Sequence, residues 1–190
     1  MAESREWQLV RRPVGVPAPE DFALVTKELP APTAGQVLVA NTFLSVDPYM
    51  RSRMNDAKSY IPAFELDAPM LGAAVGRVVE SADARDVTGR PNAVGDVVLH
   101  DDGWRTHAVL DGAGCRVVDA ERAPEQAYLG VLGMPGLTAY AGLLRVGEFR
   151  EGDRVFVNAA GGVVGSLVGQ IARLKGASRV VGSAGGAEKV

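Results

Sequence analysis

At 190 residues, with 47% hydrophobic and 23% charged residues, the chain is long enough for one large domain, or one complete domain plus part of another, and its composition excludes disorder as the main state. A net charge of −3 leaves no basic excess to neutralise a phosphate backbone, which argues against nucleic acid as a partner. No apolar run of about 18 residues predicts a membrane span, the charged start Met1–Glu6 has no secretory pattern, and the lone Cys115 admits no intramolecular disulfide, which fits a reducing, cytoplasmic compartment.

The first two thirds of the chain read as strands and turns. Short β-rich runs cover Trp7–Arg12, Phe22–Glu28, Val37–Val46, Val75–Glu80, Val94–Leu99, Thr106–Leu110 and Cys115–Val118, each bounded by Pro, Gly, Asp or Asn. Strands at this spacing predict a barrel or sandwich. Asp47–Asp56 interrupts them as a loop or short helix. Near Ala123 the pattern changes. Pro124–Leu132 and Pro135–Arg145 are rich in Ala, Leu and Gly and open on proline, which suits a first helical turn. Arg154–Asn158 reads as a buried strand. Val163–Lys175 has helically spaced apolar residues at 163, 167, 171 and 174 and at 164, 168 and 172, with Gly176 as a C-cap. Arg179–Ser183 reads as a second strand. The order is a β-rich lobe, a helical bridge, then β-turn-α-β. Because one such unit is not a complete doubly wound domain, the sequence predicts a truncated or incomplete chain, or one that needs a partner.

The turn between strand and helix, Ala160-Gly161-Gly162-Val163-Val164-Gly165, keeps the second and third glycines of a dinucleotide fingerprint and puts Ala160 at the first. Gly162 lets backbone approach a pyrophosphate, Gly165 lets the helix pack on the strand, and the free amides of the helix start attract phosphate. A tight packed turn without a ligand is the alternative, and the strand, helix and second strand at the right distances argue against it. At the end of the second strand an NAD site usually carries Asp or Glu, whereas this chain has Gly182 and Ser183. An uncharged strand end does not repel a 2′-phosphate, and Lys189 supplies a cation for one, so the sequence favours NADP(H). The other reading of Lys189 is a solvated surface lysine.

Metal chemistry is tested by inventory. Cys115, His100 and His107 are the only sulfur and imidazole candidates, without metal-ligand spacing, so zinc is not expected. The histidines read as exposed or hydrogen-bonded strand residues and Cys115 as a small buried hydrophobe.

Four runs together carry a family resemblance. Asn41-Thr42-Phe43-Leu44-Ser45-Val46-Asp47-Pro48-Tyr49-Met50-Arg51 and Gly133-Met134-Pro135-Gly136-Leu137-Thr138-Ala139-Tyr140 resemble motifs of the zinc-independent alkenal/prostaglandin reductase branch of the medium-chain dehydrogenase/reductases. The glycine turn and the segment Val181-Gly182-Ser183-Ala184-Gly185-Gly186-Ala187-Glu188-Lys189 resemble its pyrophosphate turn and 2′-phosphate loop. The resemblance covers nearly the whole chain, in family order. It implies an α/β fold with a β-rich lobe: a GroES-like β-barrel over residues 1–122, then the start of a Rossmann domain over 123–190. It implies NADPH-dependent reduction of the activated C=C bond of an α,β-unsaturated aldehyde or ketone, without metal. The zinc-dependent relatives carry Gly-His-Glu where this chain has Gly72-Ala73-Ala74.

By the same resemblance Met134 and Thr138 match cofactor contacts. Gly161, Gly162, Val163 and Val164 match the pyrophosphate turn, Lys189 matches the 2′-phosphate lysine, and Tyr49 and Asn41 match substrate-cleft positions. From its own chemistry Tyr49 is suited to hydrogen-bond a developing enolate, the other reading being a half-buried loop aromatic. The family further implies a possible homodimer, and a second active-site tyrosine beyond the present chain, so that a chain of this length is expected to bind nicotinamide poorly and to be open to inactivity. A quinone reductase of the same superfamily and a non-catalytic remnant or interaction module are the competing readings. An oligonucleotide-binding barrel is disfavoured by 6% aromatics and negative charge.

Overall fold

The structure is a computed structural model and describes residues 2–189. The chain divides into two units, one running to Gln126 and one beginning at Ala127. The order of elements is the expected one, β-rich first and β-turn-α-β second.

The first unit starts with an antiparallel pair, β1 (Ala2–Leu9) and β2 (Phe22–Leu29), in unbroken register from Ala2↔Leu29 to Leu9↔Phe22. Sequence pattern places the first strand at Trp7–Arg12. The strand instead begins at Ala2, and the chain turns away after Leu9. Alternation hides it: before Leu9 the buried residues of β1 are Ser4, Glu6 and Gln8, so the inward face there is polar and carries no hydrophobic signal. Those polar groups find partners. Ser4 Oγ donates to the His107 carbonyl at 2.8 Å, and Lys27 Nζ lies 3.6 Å from the Glu6 carboxylate. A 3-10 turn, Pro19–Asp21, closes the loop between the strands. The Asp21 carboxylate accepts from Ala18 N at 2.9 Å and from Arg11 Nε at 2.8 Å.

A five-stranded antiparallel sheet follows. Its strands are β3 (Gln36–Leu44), β4 (Ala74–Ser81), β5 (Val97–His100), β6 (His107–Asp111) and β7 (Arg116–Val118), in the spatial order β6-β3-β4-β5-β7. Its apolar centre is Val37, Val39, Val78, Ala84, Val98 and Cys115. Gly76 sits where a Cβ would come within 2.6 Å of the Ala40 carbonyl oxygen, so two backbones approach too closely for a side chain. The Asp47–Asp56 interruption contains a short helix, α1 (Tyr49–Arg53). Met50 and Met54 pack with Leu9, Phe64 and Met70 into a second cluster, with Tyr49, Phe22 and Trp104 on its margin.

The second unit holds α2 (Met134–Ala141), continued by a π-helical turn Gly142–Val146, then β8 (Arg154–Val157), α3 (Val163–Leu174) and β9 (Arg179–Gly182). β8 and β9 pair in parallel, Arg154↔Arg179 to Val157↔Gly182, as a crossover helix requires. Gly176 follows the C-cap Lys175 with φ +86°, the left-handed position a helix end favours for glycine. One expected helix is absent. Pro124–Leu132 forms only a 3-10 turn, Glu125–Leu129, ending before Gly130 and Gly133. A Cβ on Gly133 would strike the Tyr128 carbonyl and one on Gly136 the Val131 carbonyl, so this stretch folds back tightly on the start of α2.

Candidate functional site

In the second unit, the β8 strand ends on Val157 and the chain turns through residues 158–162 into α3. Asn158 Oδ1 accepts two hydrogen bonds here, from Ala159 N at 2.9 Å and from Ser183 Oγ at 3.1 Å. Ser183 N donates to the Val157 carbonyl at 3.0 Å, and Ala160 N donates to the Ser183 carbonyl at 2.8 Å. The ends of β8 and β9 are thereby tied together through Ser183. Ala159 takes φ +55°, a left-handed conformation that costs a non-glycine residue about 1–2 kcal/mol. The strain buys a sharp reversal, held by Gly162 N donating to the Ala159 carbonyl at 3.0 Å.

The glycines do what the fingerprint requires. A Cβ on Gly165 would strike the Ala159 carbonyl oxygen, so α3 lies directly against the turn. A Cβ on Gly161 would stand 3.2 Å from the Lys189 carbonyl oxygen, and one on Gly182 would stand 2.5 Å from Ala160 Cβ. Gly161, Gly162, Val163 and Val164 are exposed and Gly165 is half-buried. Gly162 is the N-cap of α3, a helix of 12 residues, and no side chain caps it. The first-turn amides of a helix have no intrahelical acceptor, and the dipole makes that end attractive to anions. Lys189 ends a 3-10 turn, Ala187–Lys189, whose backbone lies beside Gly161. The structure therefore brings the glycine turn, Ser183 and Lys189 together.

Met134 and Thr138 are one turn apart on α2 and exposed. Thr138 Oγ1 donates to the Met134 carbonyl at 2.7 Å, so its proton is engaged by the helix while its lone pairs stay open. Neither residue lines the apolar groove between α2 and α3, which Leu137, Tyr140, Leu167, Ile171 and Leu174 border.

In the first unit, Asn41 and Tyr49 stand apart. Asn41 borders a cavity of about 330 Å3 together with Trp7, Leu24, Phe43, Trp104 and Arg105, and Tyr49 does not line it. Asn41 Nδ2 donates to the carbonyls of Asp102 and Arg105, each at 2.9 Å, so this side chain fixes the loop between β5 and β6. Tyr49 opens α1 half-buried against the methionine-rich cluster. Burial, then the Asp47 carboxylate, raises its pKa, while the Arg53 guanidinium opposes them.

His100 is buried, and its Nδ1 accepts from Asp102 N at 3.1 Å. Desolvation pushes its pKa down to about 4, so it is neutral at neutral pH. Burial likewise pushes the Cys115 thiol up to about 11, which removes it as a nucleophile. Among the described residues, no group of three or more His, Cys, Asp or Glu could hold a metal ion, and no helix is long and apolar enough to cross a membrane.

A β-rich lobe followed by a strand, an exposed glycine turn and a helix is the architecture of an oxidoreductase with a dinucleotide fold. A family model described as the N-terminal domain of oxidoreductase matches residues 5–118. The chain belongs to that family, in the alkenal/prostaglandin reductase branch of the medium-chain dehydrogenase/reductases. It is 46% identical over 188 residues to the NADPH-dependent curcumin reductase of Escherichia coli (strain K12), covering 98% of this chain and 52% of that protein. It is 45% identical over 193 aligned residues to prostaglandin reductase 1 of Rattus norvegicus, covering 100% of this chain and 54% of that protein. Among solved structures, CurA of Vibrio vulnificus in complex with NADPH matches with a TM-score of 0.86 and 45% identity, over 97% of this chain and 52% of that one. The chain thus spans about half the length of the curated relatives it matches.

Two residues of the site escaped the sequence reading, Asn158 and Arg53. Asn158 had a weak signal, an amide at a strand end before a glycine turn. Arg53 had none, because Pro62 and Phe64, which hold its guanidinium, lie in the loop after α1 and only folding brings them near.

Proposed function

We propose that this chain carries the dinucleotide turn and part of the substrate cleft of an NADPH-dependent reductase of α,β-unsaturated aldehydes and ketones. The residues before 123 supply substrate contacts and those from 123 onward begin the NADP(H)-binding domain. The observation that weighs most is the bare turn at 161–164, with the Lys189 backbone against Gly161 and no acidic residue at the end of β9. The group fits on the chain's own geometry: Gly161 and Gly165 stand where any side chain would collide or crowd, and the first amides of α3 face solvent. The relation to a curcumin reductase and to a CurA structure holding NADPH supports the same assignment.

In this reading the backbone of Gly161, Gly162, Val163, Val164 and Gly165 cradles the diphosphate. Ser183 and Lys189 face the adenosine-side phosphate, and Met134 and Thr138 lie along the cofactor. NADPH, when bound, supplies the hydride for the β-carbon of the substrate. Tyr49 keeps its proton at neutral pH, because burial and Asp47 raise its pKa. Its hydroxyl donates a hydrogen bond to the carbonyl oxygen as negative charge gathers there, which is oxyanion stabilisation without a metal. Asn41 acts as a wall of the cleft, holding the 102–105 loop. The proposal includes a cytoplasmic setting and a homodimer.

Calorimetric titration tests it. Lys189→Ala should weaken NADPH by about tenfold, the size of a lost charge-assisted hydrogen bond, and leave NADH nearly unchanged. Equal weakening of the two cofactors refutes the 2′-phosphate role. Loss of NADPH absorbance with an enal and not with a quinone supports the substrate class, and the reverse preference overturns it.

A further inference from the structure

We propose that Arg53 is the positioning residue for Tyr49: its guanidinium donates to the phenol oxygen and so turns the phenol proton outward, toward substrate. The inference rests on Tyr49 being the hydrogen-bond donor of the proposed reaction.

Tyr49 and Arg53 are four residues apart on α1, the spacing that places two side chains on one helix face. Arg53 is only 9% exposed, an unusual state for arginine, and among the described residues it forms no ion pair with a carboxylate. Its guanidinium is nevertheless held on two sides. Arg53 Nε donates to the Pro62 carbonyl at 2.9 Å, and the guanidinium carbon lies 4.1 Å from the centre of the Phe64 ring. The backbone repeats the attachment, since Phe64 N donates to the Arg53 carbonyl at 2.7 Å. Phe64 is itself buried in the methionine-rich cluster on whose margin Tyr49 packs. The planar group therefore has a fixed place on the helix face that it shares with Tyr49.

The chemistry of the donors decides the rest. A guanidinium has no acceptor, so in any hydrogen bond with Tyr49 the phenol oxygen must accept. The phenol proton is then left for another oxygen. Charged groups acting on the phenol are Asp47 and Asp101, which hold the proton on, and Arg53, which eases its release. A lysine at 53 would keep the charge but lose the flat face on Phe64 and the fork that fixes direction.

The test is a phenol titration followed by ultraviolet absorbance on the 190-residue chain, with Tyr49 isolated as the difference from Tyr49→Phe. Arg53→Gln should move the Tyr49 titration upward by about one pH unit, the low end for losing a neighbouring opposite charge, and Arg53→Lys should recover part of that movement. A folded Arg53→Gln with an unchanged Tyr49 titration overturns the pairing. Should Arg53→Gln not fold, the unmodified chain decides by NMR. The Arg53 Nε–H resonance should shift with the Tyr49 midpoint, and that shift should vanish in Tyr49→Phe; a resonance blind to the phenol overturns the proposal. Enal reduction by Tyr49→Phe is a separate measurement. Undiminished reduction there overturns the role assigned to Tyr49, and the titration alone reports on Arg53.

Discussion

The two units bury their apolar residues very differently. In the first, Leu9, Val37, Val39, Val75 and Val98 are fully buried, and polar side chains such as Ser4 and Asn92 are buried with them. In the second, Ala139, Val157 and Ala172 are the buried hydrophobic residues among those described, while Phe156 is 68% and Leu174 is 85% exposed. The first unit buries a large apolar core, whereas the second leaves much of its apolar surface exposed. The glycine turn at 161–164 is exposed as well, as free amides that meet a ligand must be.

The largest expected contrast comes from truncating one leucine in each unit. Leu9→Ala should cost about 3 kcal/mol in urea unfolding, as for other buried leucines, whereas Leu174→Ala should cost less than about 0.5 kcal/mol. Equal losses would mean that the two units are packed alike. Next in size, Gly165→Ala should loosen the second unit by about 2 kcal/mol, because its methyl group must displace the Ala159 carbonyl. Hydrogen exchange should speed in α3 and β9 and stay unchanged in the five-stranded sheet.

A pH experiment probes the first unit by itself. The Asp86 carboxylate accepts from Thr88 Oγ1 at 2.6 Å and from the amides of Thr88, Arg90 and Val117. The Thr88 hydroxyl foremost, and then these amides, lower its pKa from 3.8 to about 2. A carboxylate lowered on folding stabilises the fold in full above its ordinary value, and that contribution disappears as pH falls through about 2. Asp86→Asn should therefore flatten the acid side of the stability curve, read by circular dichroism. A wild-type curve already flat between pH 4 and pH 2 would contradict the assignment. The smallest effect is expected at Ala159. Ala159→Gly removes the left-handed penalty but adds chain entropy, for a net gain of about 0.5 kcal/mol in thermal unfolding of the second unit.

Much of this architecture is legible in residue order alone. β-branched runs between turn residues mark β2, and β3 through β7 of the five-stranded sheet, within a few residues. The glycine spacing marks the turn into α3, because only glycine fits where backbone meets backbone. Pattern fails where burial is polar or where a partner is remote. The N-terminal half of β1 hides its inward face in Ser4 and Glu6. Pro124–Leu132 has helical composition, but Glu125 is held by Thr42 and Arg77 and the following glycines fold back, which leaves a single 3-10 turn.

The amino-acid order by itself determined the strand–turn–helix register, the choice of glycine at 161, 162 and 165, and the lack of an acidic residue at the end of β9. Each of these depends on local backbone sterics or on residue charge. Tertiary structure alone decided that Asn158 clamps Ser183, that Lys189 lies by Gly161, and that Arg53 stacks on Phe64 beside Tyr49. Those contacts join residues from separate elements or loops, and their energies exist only once burial has removed the competing water.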